Sequence, residues 1–559
     1  MDLYVPGRRV AELETTLAAA QGGVRAEALV ALAWHLRQRD SARALALADE
    51  AQALLADRPA LQLRLAMARA EILSLRCQLD EAEAQLAEAR RLLSQPGVDG
   101  VAEGDALLTE AMVAKARGQR ERELDAYARS ASFFAAKDQA RRSAVAQAWL
   151  AYENAFSVPE CADEAGAASQ MDPVCAALQN AARGLIQSRR DPARAADAFL
   201  QASGQALDLG LLRHAIVCTV NAGAALQGLG DFDRAAACYQ SATSLARRTG
   251  WPALIGASQT RLGAFLQELG LLDESLRVLT GTLDILAVAP PGINKANTCC
   301  ALAMTLFLMG RSVEAVGPMA EGIRMYREAR STDNLAMNLI GQARILSAAG
   351  QPEAALQALD EVRALMKRHA LSALQVGVYE ALIEIYQRHA DLPAPPDIKL
   401  PSACLHYAEA MLSEGLKISG WKAPSSIYVQ LAEAWAAAGE VGRAYEYARK
   451  ALLVKDQETA HKLSHPLALL RLRSEGDDDA PALNTKAASP TARLLTPKEQ
   501  EILQLLARSY TNKEIATVLE MSDETVKWHL KKIFSKLEAG SRKHAVTRAR
   551  TLGMISFQP

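Results

Sequence analysis

Four side chains near the C-terminal end of the sequence have the types and spacing of a surface that reads nucleic acid. Lys527, Trp528, Lys531 and Ser535 recur at the three- and four-residue spacing of one helical face. Lysine can donate to guanine O6 and N7 or to phosphates, and an exposed tryptophan offers apolar contact to thymine methyl groups. The alternative is a solvated lysine face without a ligand, which charge spacing alone does not exclude.

The elements that must position these side chains can be identified from their caps. Apolar residues at i, i+4, i+7 and i+11 predict one buried face on the same helix, namely Val526, Leu530, Ile533 and Leu537. Ser522 is placed to cap this helix, and Thr511–Glu514 has the pattern of a capping box that opens a shorter one before it. Two helices joined by a tight turn, the second exposing cations, have the helix-turn-helix layout.

Two further helices and a local excess of positive charge accompany this pair. Thr496–Glu499 is another capping box, with Pro497 at its first helical position, and Ser541 is placed to cap a fourth helix. Residues 491–559 hold 12 lysines and arginines against 7 acidic residues, a net charge of +5, whereas the rest of the chain carries -6. A basic tail on an acidic body indicates a polyanionic partner.

The segment from Leu495 to Val546 resembles the LuxR/FixJ-type helix-turn-helix. The resemblance rests on Leu495-Thr496-Pro497, on the run from Asn512 to Ala516 and on Thr525-Val526-Lys527. It implies base-facing positions for Lys527, Trp528 and Lys531, and phosphate contacts for Lys513, Thr525 and Lys532. It also implies dimerisation through the fourth helix, at Ala545, Val546 and Ala549. Two positions depart from the family pattern. Ser509 stands where the family usually has glycine, and Glu538-Ala539-Gly540 replaces its usual Gly-Val at the entry to the helix to which dimerisation is assigned.

A second pattern, with a forty-residue period, runs through the earlier part of the chain. Gly230, Gly270, Gly310 and Gly350 each follow one amphipathic segment and precede another, where a helix end favours positive φ. Gly439 continues the series after two periods and a proline-rich insertion, and Cys77 and Gly118 mark weaker copies. The pattern resembles the tetratricopeptide (TPR) hairpin, which usually has about 34 residues. The longer period resembles the sensor repeats of MalT-like regulators, and roughly ten hairpins are expected.

These patterns predict an all-α protein: a TPR-like helical solenoid followed by a four-helix LuxR-type helix-turn-helix domain. Residues 1–460 are expected to form the repeat region, residues 461–490 a linker and residues 491–559 the DNA-binding domain. The acidic, proline-containing run at 474–490 is typical of a flexible segment. The stretch from Ser157 to Pro173 interrupts the repeats and is predicted to be a long loop.

Candidate effector contacts follow if the first helix of each hairpin lines the concave face, as in TPR geometry. This register selects Gln227, Gln267, Asn297, Met304, Phe307 and Arg344. The two glutamines could form a polar ladder, Met304 and Phe307 an apolar floor, and Arg344 a fixed charge for an anion or a peptide carboxylate. The alternative for Met304 and Phe307 is ordinary packing between repeats.

Several function classes lack their sequence signatures. The chain has no GxxxxGK[ST] loop, no nucleophile–base motif and no zinc-finger spacing, so no cofactor, metal or enzymatic activity is expected. Its eight cysteines are expected to be buried, reduced thiols, with a redox sensor at Cys299–Cys300 as the alternative. An N-terminal signal and an uninterrupted apolar span are also missing, which predicts a cytoplasmic protein without membrane contact.

The function predicted from these features is sequence-specific regulation of transcription, with activation implied by the family resemblance. The expected partners are double-stranded promoter DNA, bound as a homodimer, RNA polymerase, and a small-molecule, peptide or protein effector on the repeats. The alternative is an interaction scaffold that its C-terminal domain only localises to DNA.

Overall fold

The computed structural model describes residues 2–155, 172–463 and 497–536, together with Arg542 and Ala545. Twelve positions inside these ranges are excepted: 56, 189, 370, 396, 397, 399, 401, 419, 420, 508, 509 and 520. The chain divides into two compact units, Met1–Ser474 and Glu475–Pro559. The predicted loop after Ser157 and the predicted linker fall almost wholly outside the described residues, so the three-part division of the chain stays a prediction.

The first unit is built from helices. In chain order they are α1 Gly7–Ala19, α2 Gly22–Leu36, α3 Ser41–Gln52, α4 Pro59–Leu75, α5 Leu79–Leu93, α6 Ala102–Ala116, α7 Arg120–Ala136, α8 Ala140–Ala155, α9 Pro173–Gln187, α10 Pro192–Leu209, α11 Leu212–Gly228, α12 Phe232–Thr249, α13 Pro252–Glu268, α14 Leu272–Ile285, α15 Ile293–Leu308, α16 Ser312–Glu328, α17 Thr332–Ala348, α18 Pro352–His369, α19 Gln375–Arg388, α20 Ala403–Gly415, α21 Ser425–Ala437 and α22 Val441–Leu463. Short 3-10 helices lie at Leu286–Val288 and Ser372–Leu374. The described residues contain no strand, as the sequence predicts.

Consecutive helices pack as antiparallel hairpins that stack on one another. Among the described residues there are ten such pairs, α2/α3, α4/α5, α6/α7 and then α9/α10 through α21/α22. Several first helices also pack on the first helix of the next hairpin, as α4 does on α6, α13 on α15 and α17 on α19. This is a TPR-like solenoid, in which each hairpin completes its core against its neighbours, and the predicted repeat architecture is confirmed.

The loop positions that define the period have the predicted backbone conformation. Gly230, Gly270, Gly310 and Gly350 have φ between 75° and 80°, a left-handed conformation that glycine adopts without strain. The weaker copies match, with φ of 62° at Cys77 and 72° at Gly118.

Small residues let the two helices of a hairpin approach closely. A Cβ atom on Gly223 would lie 2.9 Å from the Tyr239 ring, and one on Gly263 would lie 2.7 Å from the Leu279 side chain. Ala235, Ser275, Ala315 and Ala355 on the second helices are fully buried. The spacing of small residues in the sequence is therefore a packing requirement.

Cys299 and Cys300 lie in the hydrophobic core of the later hairpins. Burial raises the pKa of the Cys300 thiol to about 12 and also raises the pKa of Cys299. Redox sensing by cysteine favours an accessible thiolate, so the structure favours the prediction of buried, reduced thiols at this pair.

The second unit contains three described helices: α23 Pro497–Ala507, α24 Asn512–Val518 and α25 Asp523–Lys536. They enclose a small core whose buried members are Ile502, Leu503, Leu506, Ile515, Ala516, Val526, Leu530, Ile533 and Ala545. Apart from Arg542 and Ala545, the predicted fourth helix falls outside the described residues. No helix in the described part of the chain is long and apolar enough to cross a membrane.

Candidate nucleic-acid interface and effector surface

The predicted capping box at the start of α24 is formed. The Thr511 backbone N–H donates to Glu514 Oε2 at 2.7 Å, and the Thr511 hydroxyl donates to the same oxygen at 2.8 Å. In return the Glu514 N–H donates to Thr511 Oγ1 at 3.4 Å. The hydrogen bond from the Thr511 N–H, with that from its hydroxyl, lowers the pKa of Glu514. This reciprocal cap fixes where the first helix of the pair begins.

The turn between α24 and α25 is held by hydrogen bonds at both of its ends. The Met521 N–H donates to the Ala516 carbonyl at 2.9 Å, which closes the end of α24. The Thr525 N–H donates to Ser522 Oγ at 3.1 Å, so Ser522 caps α25 as predicted. The helix-turn-helix layout is therefore set by local sequence.

Helix α25 has two chemically different faces. Val526, Leu530 and Ile533 are buried in the core of the unit. Lys527, Trp528, Lys531 and Lys532 are all exposed on the rest of its circumference. The rise of 1.5 Å per residue gives this 14-residue helix a length of about 20 Å, enough to lie along a major groove.

Trp528 is ordered by its neighbours although 53% of its surface is exposed. The Lys532 ammonium lies 3.8 Å from the centre of the indole ring, and the His529 ring meets it edge-on at 4.9 Å. A cation over an indole face is worth about 0.5–1 kcal/mol at an exposed site. The predicted phosphate partner Lys532 thus also orients a predicted base-facing residue.

Two cations that the site prediction left out tie the helices together. Lys536 Nζ donates to Glu499 Oε2 at 2.6 Å, joining the end of α25 to the start of α23, and only 3% of the Glu499 side chain is exposed. Arg542 donates to Asn512 Oδ1 at 3.0 Å and also to the Tyr510 carbonyl. Neither contact can be predicted from local spacing, because the partners lie 37 and 30 residues away.

The remaining predicted contacts of this unit have different outcomes. Lys513 and Thr525 are exposed, on α24 and near the start of α25. Ala545 is fully buried in the core of its own unit, and its role in dimerisation stays a prediction. Val546 and Ala549 lie outside the described residues.

The two glutamines of the predicted effector surface bridge neighbouring repeats. Gln227 donates to Glu268, and its carbonyl oxygen accepts from the Tyr239 hydroxyl at 2.6 Å. Gln267 donates to the Ala301 carbonyl at 2.7 Å and to Thr305 Oγ1 at 2.6 Å. The Tyr239 contact stays within the α11/α12 hairpin, and the other hydrogen bonds run to the following hairpin. Those described for the two glutamines therefore do not join them to each other in a ladder.

Asn297, Met304 and Phe307 are half-buried. The amide oxygen of Asn297 accepts from the Tyr326 hydroxyl. Met304 and Phe307 pack against the hydrophobic core of the later hairpins, which supports the alternative of packing between repeats.

Arg344 already has an anionic partner within the chain. Its Nε and Nη2 atoms donate to the two Glu384 carboxylate oxygens at 2.9 and 2.7 Å, and its guanidinium lies 5.6 Å from the Phe307 ring centre. Burial acts to lower the pKa of Arg344, but the hydrogen bonds and charge of Glu384 outweigh it and raise that pKa. An external carboxylate would have to displace Glu384, so the predicted anion site is filled by the protein itself.

Comparison with known proteins identifies the C-terminal segment. Residues 493–549 match the family model of bacterial regulatory proteins of the luxR family. The HTH-type transcriptional regulator AlkS of Alcanivorax borkumensis is 41% identical over 86 residues, which are 15% of this chain and 9% of that protein. The quorum sensing-dependent regulator RpaR of Rhodopseudomonas palustris is 48% identical over 61 residues, 11% of this chain and 25% of that protein. The match covers a minor part of each relative, and it confirms the LuxR-type helix-turn-helix domain.

The repeat region is similar to solved helical proteins. A Rap protein complexed with competence and sporulation factor aligns over 72% of this chain and 99% of its own, with a TM-score of 0.42 and 11% identity. The more specific resemblance to MalT-like regulators stays a prediction.

Proposed function

We propose that this chain, with its LuxR-type helix-turn-helix domain, is a sequence-specific transcription regulator. The observation that carries the proposal is the exposed face of α25, where Lys527, Trp528 and Lys531 lie opposite a buried stripe. In a helix-turn-helix the second helix enters the major groove and its exposed side chains contact base edges. The relatives matched by this domain are transcription regulators, and the proposed role requires no catalytic step.

The proposed DNA contacts fall into two groups, those to base edges and those to the phosphate backbone. Lys527 and Lys531 are one turn apart on α25 and reach base edges, with Trp528 beside them against thymine methyl groups. Lys513, Thr525 and Lys532 contact the phosphate backbone and set the register of the helix in the groove. Each neutralised phosphate adds salt dependence without adding specificity.

The repeat region is proposed to be the sensor. A TPR-like solenoid presents an extended surface to a ligand or partner, and effector binding there would control the DNA-binding unit. We further propose a cytoplasmic activator that binds its promoter as a homodimer and contacts RNA polymerase. Val546 and Ala549 remain candidates for the dimer contact.

The direct test is selection of DNA by the purified intact chain from a pool of random duplexes. The proposal predicts enrichment of one short motif, repeated as two half-sites about 10 base pairs apart if the protein binds as a dimer. Enrichment of no motif above the level seen with Lys527→Ala/Lys531→Ala protein would contradict it. The scaffold alternative predicts DNA binding that an effector never alters, which reporter transcription in cells would reveal.

A further inference from the structure

A short non-helical segment, Asp2–Val5, lies against helices of the repeat region. Leu3 and Val5 are buried, with 8% and 5% of their surfaces exposed. Pro6 and Gly7, where the segment joins α1, are exposed. The segment belongs to none of the hairpins, and a non-helical segment with two buried residues, Leu3 and Val5, needs partners for its backbone polar groups.

Side chains of the repeats supply those partners. Trp34 Nε1 donates to the Asp2 carbonyl at 3.0 Å, Arg37 Nη2 to the Leu3 carbonyl at 3.2 Å, and Arg39 Nη2 to the Val5 carbonyl at 2.7 Å. Three side-chain donors thus bind three main-chain carbonyls of one non-helical segment. This is how a groove holds a peptide when its backbone, rather than a helix or sheet, must be satisfied.

The side chains of the segment also contact the repeats, Leu3 and Tyr4 in the interior and Asp2 at the surface. Leu3 packs in the hydrophobic core with Trp34, and the Arg37 guanidinium lies 4.8 Å from the Tyr4 ring centre. Burial raises the pKa of Tyr4, and the charge of Glu71 on α4 raises it further. The Asp2 carboxylate pairs with Arg141 on α8 at 3.2 Å. An acidic, an aliphatic and an aromatic residue therefore each have a separate contact site.

The surrounding groups are fixed by a buried charge network. Arg37 pairs with Glu71 at 2.6 Å, and both side chains are less than 5% exposed. Asp105, fully buried, pairs with Arg64 at 2.8 Å and with Arg142 at 2.5 Å. Arg64 keeps one buried nitrogen, Nη1, without a hydrogen-bond partner in the described part of the chain. These ion pairs fix the groups around the segment, and Arg64 Nη1 is a donor that the segment does not use.

Residues much later in the chain also form hydrogen bonds with the residues around this segment. Arg39 also donates to the Asp208 carbonyl of α10 at 3.0 Å, and Trp251 Nε1 donates to Ser41 Oγ at 3.1 Å. The loop that holds Val5 is thus anchored to hairpins about 170 and 210 residues away.

We infer that Asp2–Val5 is a resident ligand in a peptide-binding site formed by α2 with the loop that follows it, α4 and α8. The effector is a short peptide with an acidic residue followed by an aliphatic–aromatic pair, which replaces this segment. The inference rests on the proposed function, because it names the effector class of the proposed sensor.

The test uses the intact chain with a protease-cleavable linker inserted between Pro6 and Gly7. The protein is folded, cut, and mixed with a fluorescently labelled peptide of residues 1–6, Met-Asp-Leu-Tyr-Val-Pro, and binding is followed by anisotropy. The inference predicts saturable exchange of the labelled peptide for the cut segment. A peptide with glycine in place of Leu and Tyr should bind at least tenfold more weakly, since burial of each side chain contributes about that factor.

Matched variants locate the site. Trp34→Phe removes the donor to Asp2 but keeps an aromatic ring, and it should weaken peptide binding about threefold to tenfold. Trp435→Phe removes a similar indole hydrogen bond, to Glu409, in a remote hairpin and should leave binding unchanged. Equal affinity for the glycine peptide, no exchange, or unfolding of the cut chain would each overturn the inference, because the segment would then be an ordinary part of the fold.

Sequence-specific DNA binding by the same preparations separates the two proposals. Normal DNA binding without peptide exchange contradicts only the inferred peptide site. Peptide exchange by a chain that selects no DNA motif contradicts only the proposed regulatory function.

Discussion

Two histidines of the repeat region are held in their neutral form by burial. His35 on α2 has its pKa lowered to about 3, first by burial and then by the nearby positive charges of Arg37 and Arg64. His214 on α11 has its pKa lowered to about 4 by burial, and its ring meets those of Trp149 and Tyr152 edge-on. The unfolded chain can protonate both residues below about pH 6.5, whereas the folded chain cannot.

The free energy of unfolding should therefore fall as the pH drops from about 6.5 towards 4. Stability is complete above the unfolded pKa, and each histidine then removes up to about 1.4 kcal/mol per pH unit because the unfolded state binds one more proton. Urea titrations at a series of pH values measure this slope. His35→Gln and His214→Gln should each reduce this slope by about one proton. Identical slopes in all variants would contradict the assignment.

For individual residues, the sequence predicts which side chains of the cationic face are exposed better than it predicts which side chains form ion pairs with each other. Heptad-like spacing is enough to place Lys527, Trp528 and Lys531 away from the core, because a helix has a fixed period. The pairing of Arg344 with Glu384, forty residues later, depends on how two hairpins stack. The burial of Ala545 likewise depends on tertiary packing, which the family resemblance alone did not supply.

At the scale of helices and hairpins, the Arg344–Glu384 pair connects α17 to α19. Side-chain exposures of 26% and 23% place it between surface and core. Arg344→Ala should lower the free energy of unfolding by about 1–2 kcal/mol, since Glu384 would keep a partly buried charge without its partner. Urea denaturation of the intact chain measures the loss.

Arg324→Ala is the matched control for that prediction. Arg324 pairs with Glu321 and Glu328 within its own helix, and all three side chains are about half exposed. Its removal should leave stability unchanged within error. Equal losses in the two variants would show that the link between repeats adds nothing to stability.

The elements themselves could be predicted because their signals are local. Each capping box lies within four residues, and each loop glycine predicts a positive φ at its own position. The contacts of Lys536 and Arg542, which lock α25 and α24 in place, could not be predicted, because no short-range pattern records which distant residue a cation meets. The buried partners of Asp2–Val5 could not be predicted for the same reason.

At the scale of the whole molecule, the division into two units has a consequence for fragments. The second unit has its own buried core, centred on Ile502, Ile515, Val526 and Leu530. A fragment from Thr491 to Pro559 should therefore fold alone and show a helical circular dichroism spectrum. It should bind DNA more weakly than the intact chain because it lacks any dimer contact made by the repeats. A fragment without helical signal would show that the DNA-binding unit depends on the repeats.

The proposed role of α25 is to recognise a DNA sequence. It is tested most directly by the affinity of intact Lys527→Ala and Lys531→Ala proteins for the selected duplex and for an unrelated one. Both lysines lie off the buried stripe, so stability should change by less than about 0.5 kcal/mol. Loss of a base contact should weaken binding to the selected duplex by about 1–3 kcal/mol and reduce discrimination between the duplexes. Lys422→Ala, which removes an exposed lysine of the repeat region, should bind both duplexes normally. If both α25 variants bind and discriminate as Lys422→Ala does, α25 does not contact the bases and the recognition surface lies elsewhere.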